Sequence, residues 1–272
     1  MRNLFQKFRS SSSTTTSGLY ATHDEITSDT VTSDAPRPFI TFAQNFEDVM
    51  LWRALKDVKN GFYIDVGAHD PEVHSVTAAF YARGWRGINV EPVRELFDRL
   101  TLARSQDVNL RLCVGEERGR RAFYAFPETG LSTLDSTHVE DFKAHGFNLR
   151  EEQVEVCSLA EICQLYAPGS IHFLKVDVEG AEREVLSGAD FTIYRPWIVL
   201  LEATAPLSQR LVHEEWESIM LAAHYEFVWF DGLNRFYIAT ERVASLKPHF
   251  QSPPNVFDGF KVRPEHFSAP PT

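Results

Sequence analysis

Short apolar runs that end in an acid or a glycine alternate along this chain with segments of helical periodicity, and that alternation is what most restricts its fold. Gly61-Phe-Tyr-Ile-Asp-Val-Gly67 is the first such run, β-branched and aromatic enough to read as a buried strand. Asp70-Pro71 follows, a capping residue and a proline suited to a first helical position. Val73, Val76 and Phe80 then recur at helical spacing, so a helix is predicted to start there. Arg86 to Glu91 supplies a second strand, and Pro92 opens a helix with Val93, Leu96, Phe97 and Leu100 on one face. Val108 to Val114 alternates like a third strand, and Arg121 to Asp135 reads as hairpin-like. Ile171 to Asp177 is a fourth strand with a helix from Gly180 to Leu186, and Trp197 to Glu202 is a fifth. His213 to His224 is amphipathic. Tyr225–Phe230 and Arg235–Thr240, joined by Asp231-Gly-Leu-Asn234, predict a closing antiparallel hairpin.

Strands alternating with helices imply βαβ units, hence an α/β fold with a mainly parallel sheet covered on both faces. The hairpin makes it mixed. This organisation spans residues 39–262. Before it, Ser and Thr fill 14 of the first 38 positions, too polar a stretch to offset its ordering entropy, so residues 1–38 are expected to be a flexible tail. Leu4, Phe5 and Phe8 beside Arg2, Lys7 and Arg9 offer at most a brief amphipathic contact. Residues 263–272 are read as a C-terminal tail.

Lys and Arg number 27 against 38 Asp and Glu, a net charge of -11, which repels polyphosphate and argues against a nucleic-acid partner. No apolar stretch approaches the roughly 18–20 residues that cross a bilayer, and no apolar core follows the N-terminal cations as in a secretory signal. Cys113, Cys157 and Cys163 are odd in number and form no Cys-x-x-Cys pair, so neither a disulfide framework nor a zinc cluster is expected. A cytoplasmic location is the reading.

Ligands of open α/β sheets bind beyond the carboxyl ends of the strands, where strand order reverses. Here those ends are Asp65-Val-Gly-Ala-His69, Glu91-Pro92, Cys113-Val-Gly115, Asp177-Val-Glu179 and Glu202. All but one carry a carboxylate. Glu91, at the tip of the second strand after the glycine turn, stands where an acid accepts both hydroxyls of an adenosine ribose. A dinucleotide fingerprint would need two more glycines, yet His69 and Glu72 hold those positions, and Asp70 adds a charge that repels a pyrophosphate. A ribose ligand without phosphates, carrying a sulfonium cation, fits both conditions, as S-adenosylmethionine does; an ordinary tight turn and a surface Glu are the other reading of these residues.

Phe62-Tyr-Ile-Asp-Val-Gly-Ala-His69, Val90-Glu-Pro92 and Leu174-Lys-Val-Asp-Val-Glu-Gly-Ala-Glu182 together resemble the FkbM family of S-adenosylmethionine-dependent methyltransferases. Ala43-Gln-Asn-Phe-Glu-Asp-Val-Met50, Gly130-Leu-Ser-Thr-Leu-Asp135 and Pro254-Asn-Val-Phe-Asp258 are similar to further motifs of that family, in the same order. The resemblance covers about residues 39–260. It implies a seven-stranded class I methyltransferase fold and O-methyl transfer, often onto sugars of surface polysaccharides or glycosylated products. Many members have Asn where His69 stands and lack the Asp70-Pro71 pair.

Position by position, the resemblance puts Asp65, Val66, Gly67, Ala68 and His69 around the methionine part. It puts Glu91 and Pro92 at the ribose, Cys113 and Val114 beside the adenine, and Ser132 in the cofactor site. Asp177 sits where the methyl group meets the acceptor, so Asp177 and then Glu179 are the expected catalytic carboxylates, Glu179 having helix capping as its other role. Asp177 and Glu202 offer oxygen ligands to a divalent metal, which the sequence does not require. His172 and Lys175 lie too early in the strand for the site and read as structural. His74, His138 and His145 read as surface residues, and Phe123, Tyr124 and Phe126 as either sugar-stacking or packed aromatics. The acceptor is a small molecule or glycan; oligomeric state is not readable. Two other functions stay open here, a nicotinamide-dependent oxidoreductase and a non-catalytic nucleoside-binding domain.

Overall fold

The computed structural model describes residues 38–126 and 129–263; the Ser/Thr-rich tail up to Arg37, its apolar toe, and the C-terminal tail after Arg263 lie outside them. The elements run β1 (Phe39–Thr41), α1 (Glu47–Leu55), β2 (Phe62–Val66), α2 (Ala78–Tyr81), β3 (Arg86–Val90), α3 (Arg94–Ala103), β4 (Val108–Leu110), β5 (Cys113–Val114), β6 (Gly119–Ala125), α4 (Val139–Ala144) and β7 (Arg150–Cys157). They continue with α5 (Leu159–Tyr166), β8 (Phe173–Val176), α6 (Glu182–Ser187), β9 (Ile198–Glu202), α7 (Glu217–Ala222), β10 (Tyr225–Phe230), β11 (Asn234–Ala239), α8 (Val243–Leu246) and β12 (Phe260–Val262).

Seven strands form one sheet in the order β10-β11-β9-β8-β2-β3-β4. β2 pairs in parallel with both β3 and β8, while β11 joins β9 antiparallel and carries β10 with it. Strand order therefore reverses between β2 and β8. Alternate residues face opposite layers, as a pleated strand requires. Ile64, Val66, Leu174, Val176, Val199 and Leu201 pack on α5, α6 and α7. Tyr63, Phe173, Ile198, Leu200 and Phe236 pack instead on α1, α2 and α8. With both faces covered, the central strands are mostly apolar, with Asp65, Asn89 and Lys175 buried among them.

Three expectations fail for identifiable reasons. No helix starts at Asp70-Pro71: Asp70 Oδ1 accepts from Glu72 N and Val73 N in a local turn, a use of Asp that competes with helix. His74 is left-handed at φ 58° and bridges Ala43, and Arg104 binds the Pro71 carbonyl, so helix waits until Ala78 and Val73 is exposed. Val108–Val114 is two strands, since β4 continues the main sheet while β5 pairs with β7 in a separate sheet ordered β5-β7-β6. The strand partner of β6 is β7, from Gly119↔Val156 to Ala125↔Arg150, and the described residues of 121–135 keep the Tyr124↔Thr133 bridge as their one hairpin pairing. β7 and α5 have no counterpart in the sequence reading. Phe123 and Phe126 are core residues, Phe126 edge-on to Phe142.

Candidate active site

The carboxyl ends of β2, β3, β8 and β9 meet on one edge, beside the β2/β8 reversal, around one cavity. The β2 end contributes Asp65, Val66, Gly67, Ala68 and His69; the β3 end gives Glu91 and Pro92. Cys113, Val114 and Ser132 come from the second sheet and its following loop, and Asp177 and Glu179 from the β8 end. Every residue singled out from sequence for cofactor or catalysis thus lies on one wall or another of this space. Glu202 is not among the lining residues. Gly67 is what lets the β2 and β8 ends approach: it has φ 78°, and a Cβ there would overlap the Asp177 carbonyl oxygen.

Glu91 is 4% exposed. Its Oε2 accepts from His69 N at 2.9 Å and its Oε1 from Val93 N at 2.7 Å, fixing the carboxyl at the strand tip. Burial nonetheless pushes its pKa up to about 7. Beside it Val93, Leu96, Phe123 and Leu134 form an apolar wall. The Cys113 thiol in that wall is held neutral, its pKa raised by burial and by Glu91. Ser132 Oγ accepts from Phe126 N at 2.9 Å and so closes the neighbouring loop.

Lys175 belongs to the site, against expectation. It pairs in register with Asp65, and its long side chain reaches past the strand end to donate to Gly67 O at 2.7 Å. Its Nζ is 3.3 Å from both Asp65 Oδ1 and Asp177 Oδ2. Burial favours the neutral amine, but Asp177 and Asp65 outweigh it and raise the ammonium's pKa. Sequence position placed Lys175 two residues short of the tip; the four-carbon stem makes up that distance. His172 is structural as expected: its Nδ1 accepts from Phe62 N at 2.9 Å, and its ring meets Trp85 and Trp197 edge-on.

Asp177, Glu179 and Glu202 bring one carboxylate oxygen each within 4.8 Å of one another. Burial, and then Asp177 and Glu182, push Glu179 well above the usual carboxylate range. Glu202 moves the same way through burial, Asp177 and Glu179. Glu179 does not cap α6; the Glu182 carboxylate does the local work, accepting from Val178 N and Gly180 N.

The opposite wall was not assigned from sequence. Gln44, Glu47, His74 and Asn234 line it. Glu47, 5% exposed, accepts from Asn45 N at 2.8 Å and from Asn234 Nδ2 at 3.0 Å. Asn45 Nδ2 in turn donates to Asp231 O, stitching the start of the fold to the β10–β11 turn. Burial, then Asp231, raises the Glu47 pKa to about 8. The available signal was an acid standing among core residues in Glu47-Asp-Val-Met-Leu51, where an ordinary helix start would leave it in solvent. Of the other histidines, His74 is exposed on the cavity rim and His145 is exposed; the side chain of His138 lies outside the described part.

The methyltransferase FkbM domain matches residues 65–227. No curated protein matches the chain. Solved structures with a similar course include a TehB-like S-adenosylmethionine-dependent methyltransferase from Corynebacterium glutamicum, 7% identical, covering 71% of this chain and 87% of that one at a TM-score of 0.40. The fibrillarin pre-rRNA processing protein of Methanococcus jannaschii is 11% identical over 72% of this chain and 77% of its own, at a TM-score of 0.35. Both are remote, whereas the domain match covers more than half of the chain. The chain belongs to the methyltransferase FkbM domain family, and is an S-adenosylmethionine-dependent methyltransferase of class I fold.

Proposed function

We propose that this methyltransferase acts on a hydroxyl oxygen of a carbohydrate, in a surface polysaccharide or a glycosylated product. The observation that carries the reading is the two-sided cavity. One side pairs the Glu91 carboxyl with the apolar wall of Val93, Leu96, Phe123 and Leu134, a hydrogen-bond acceptor beside an apolar surface, which fits a ribose diol and a purine. The other side offers Gln44, Glu47, His74 and Asn234, a run of amide, carboxyl and imidazole groups suited to a polyhydroxyl acceptor. Asp65, Lys175 and Asp177 lie between.

The cofactor, when bound, supplies a methyl on a sulfonium whose charge disappears as the methyl leaves. The chain's part is to position and to handle a proton. Glu91, with Pro92 beside it, takes the ribose hydroxyls; Cys113 and Val114 border the adenine; the backbone of residues 67–69, with Asp65 and Ser132, holds the methionine end. Asp177, with Glu179 behind it, orients the acceptor. A nicotinamide dinucleotide fits poorly, because residues 68–77 form no helix whose N-terminus faces a pyrophosphate. Lys175 already supplies a cation at Asp177, so the reaction needs no metal on the Asp177–Glu202 cluster. Free, buried Cys113, Cys157 and Cys163 suit a reducing compartment, the cytoplasm.

Two measurements test this. S-adenosylmethionine at about one hundred times its Kd is expected to stabilise the protein by about 2.7 kcal/mol, and NAD(P) to leave the melting temperature unchanged. With methyl-labelled cofactor and a cell-surface glycan extract, the label is expected in O-methyl sugars. Label recovered in protein or lipid alone would overturn the carbohydrate assignment.

A further inference from the structure

We propose that His69 is the general base that takes the acceptor's hydroxyl proton. The inference rests on the methyl-transfer reading above and assigns its proton to an atom of this chain.

His69 lines the cavity at the end of β2. Its backbone is left-handed, φ 52°, a strained conformation for a residue with a side chain. The bond from His69 N to Glu91 Oε2 holds it there. Its imidazole makes no hydrogen bond, ion pair or ring contact among the described residues. The ring is directed toward the Gly130 loop, Nε2 lying 3.6 Å from where a Cβ on Gly130 would stand. A glycine there leaves open the space in front of that nitrogen. Strain at the backbone and a free, cavity-lining ring together mark a group placed for a ligand.

The neighbouring acids are less able to accept a proton. Lys175 Nζ lies 3.3 Å from Asp177 Oδ2. Burial and the neighbouring acids push Glu179 and Glu202 well above the usual carboxylate range, toward the protonated form. Glu91 is committed to two backbone N–H groups, and Asp65 Oδ2 to the Thr77 hydroxyl. The charged and titratable groups facing His69 are Asp70 and His74 from its own loop, Lys175 and Asp177 from the β8 end, and Glu91 from the β3 end. Burial dominates among these influences and lowers the His69 pKa, which keeps the ring neutral. A neutral imidazole accepts the proton as the acceptor oxygen bonds to the methyl carbon. The carbon–sulfur bond breaks, its electron pair stays on sulfur as the thioether, and the imidazolium releases its proton to water.

Two measurements decide this. In an NMR titration of the imidazole in the S-adenosylhomocysteine complex, His69 is expected to titrate below pH 6.5; a midpoint above 7 leaves a cationic ring and overturns the proposal without any acceptor. With labelled cofactor and the glycan extract, His69→Asn is expected to lower kcat about 100-fold and to remove the acid limb of its pH profile. The dissociation constant for S-adenosylmethionine should stay within threefold. A residue that only holds cofactor would shift that constant and leave the limb. If His69→Asn keeps rate and limb, or if His74→Asn is the variant that removes the limb, His69 is not the base. Failure of the wild-type protein to bind S-adenosylmethionine would instead remove the underlying reading.

Discussion

Asp177 Oδ2 lies 3.3 Å from Lys175 Nζ, and the same ammonium lies 3.3 Å from Asp65 Oδ1. One buried cation therefore joins the ends of two adjacent parallel strands across the point where strand order reverses. Lys175→Met leaves both acids without it, and stripping one partner from a buried ion pair typically costs about 3–5 kcal/mol. Chemical denaturation is expected to show a loss in that range. A loss below about 1 kcal/mol would mean that water already screens the cluster.

Glu91 is expected to decide cofactor affinity. Glu91→Gln keeps an acceptor for only one of the His69 and Val93 N–H groups and removes the charge that a diol prefers, so titration calorimetry should show Kd rising about tenfold, or about 1.4 kcal/mol. Diol hydroxyls favour the carboxylate, whose pKa in the free protein is about 7. Wild-type affinity should accordingly strengthen from pH 6 to pH 8, and the variant should lack that slope. Equal affinity in the two proteins removes Glu91 from the cofactor site.

How much of this was legible beforehand depends on range. The strands β2, β3, β8 and β9 and their acidic tips could be read because a doubly covered strand is continuously apolar and its end abruptly polar. Asp65, Glu91 and Asp177 follow from that contrast alone. Lys175 was missed because its position was judged by its Cα, while its chemistry sits several ångströms further on. Glu47 and Asn234, 187 positions apart, meet only through the closing hairpin, a contact with no local signature. β7 went unread because its Arg150-Glu-Glu-Gln start is polar and largely exposed, although the strand is the middle one of its sheet. The helix expected at Asp70 failed because capping residues also make turns, and Arg104, 34 positions on, binds the carbonyl of Pro71.

The buried acids predict an unusual stability profile. Glu47 titrates at about 8, Glu91 and Glu182 at about 7 and Asp48 at about 6, all raised above their ordinary values mainly by burial. A raised pKa means the folded state holds more protons than the unfolded one across that interval. Its stabilisation is complete below the unfolded pKa and fades as pH rises through the folded one. Each such group takes away about 1.4 kcal/mol per pH unit inside its window. The lowered pKa values of His69 and His172 act oppositely below about pH 6.5. The cofactor-free protein should thus melt higher at pH 6 than at pH 8.5, and Glu47→Gln should flatten that fall. A melting temperature that climbs from pH 6 to 8.5 would contradict the buried, protonated state of these acids.

The cluster of Asp177, Glu179 and Glu202 is expected to hold protons in preference to a divalent cation. A cation there must overcome the preference for the protonated form that burial gives Glu179 and Glu202 and compete with Lys175 at Asp177. Metal affinity of such a set rises with pH, since only deprotonated ligands bind. Magnesium should consequently leave the melting temperature unchanged at pH 6 and raise it slightly at pH 8.5. Methyl transfer at pH 7 should survive dialysis against EDTA within twofold. A tenfold loss restored by magnesium would reassign the three carboxylates from proton storage to metal ligation, with the acceptor's hydroxyls as the natural remaining ligands.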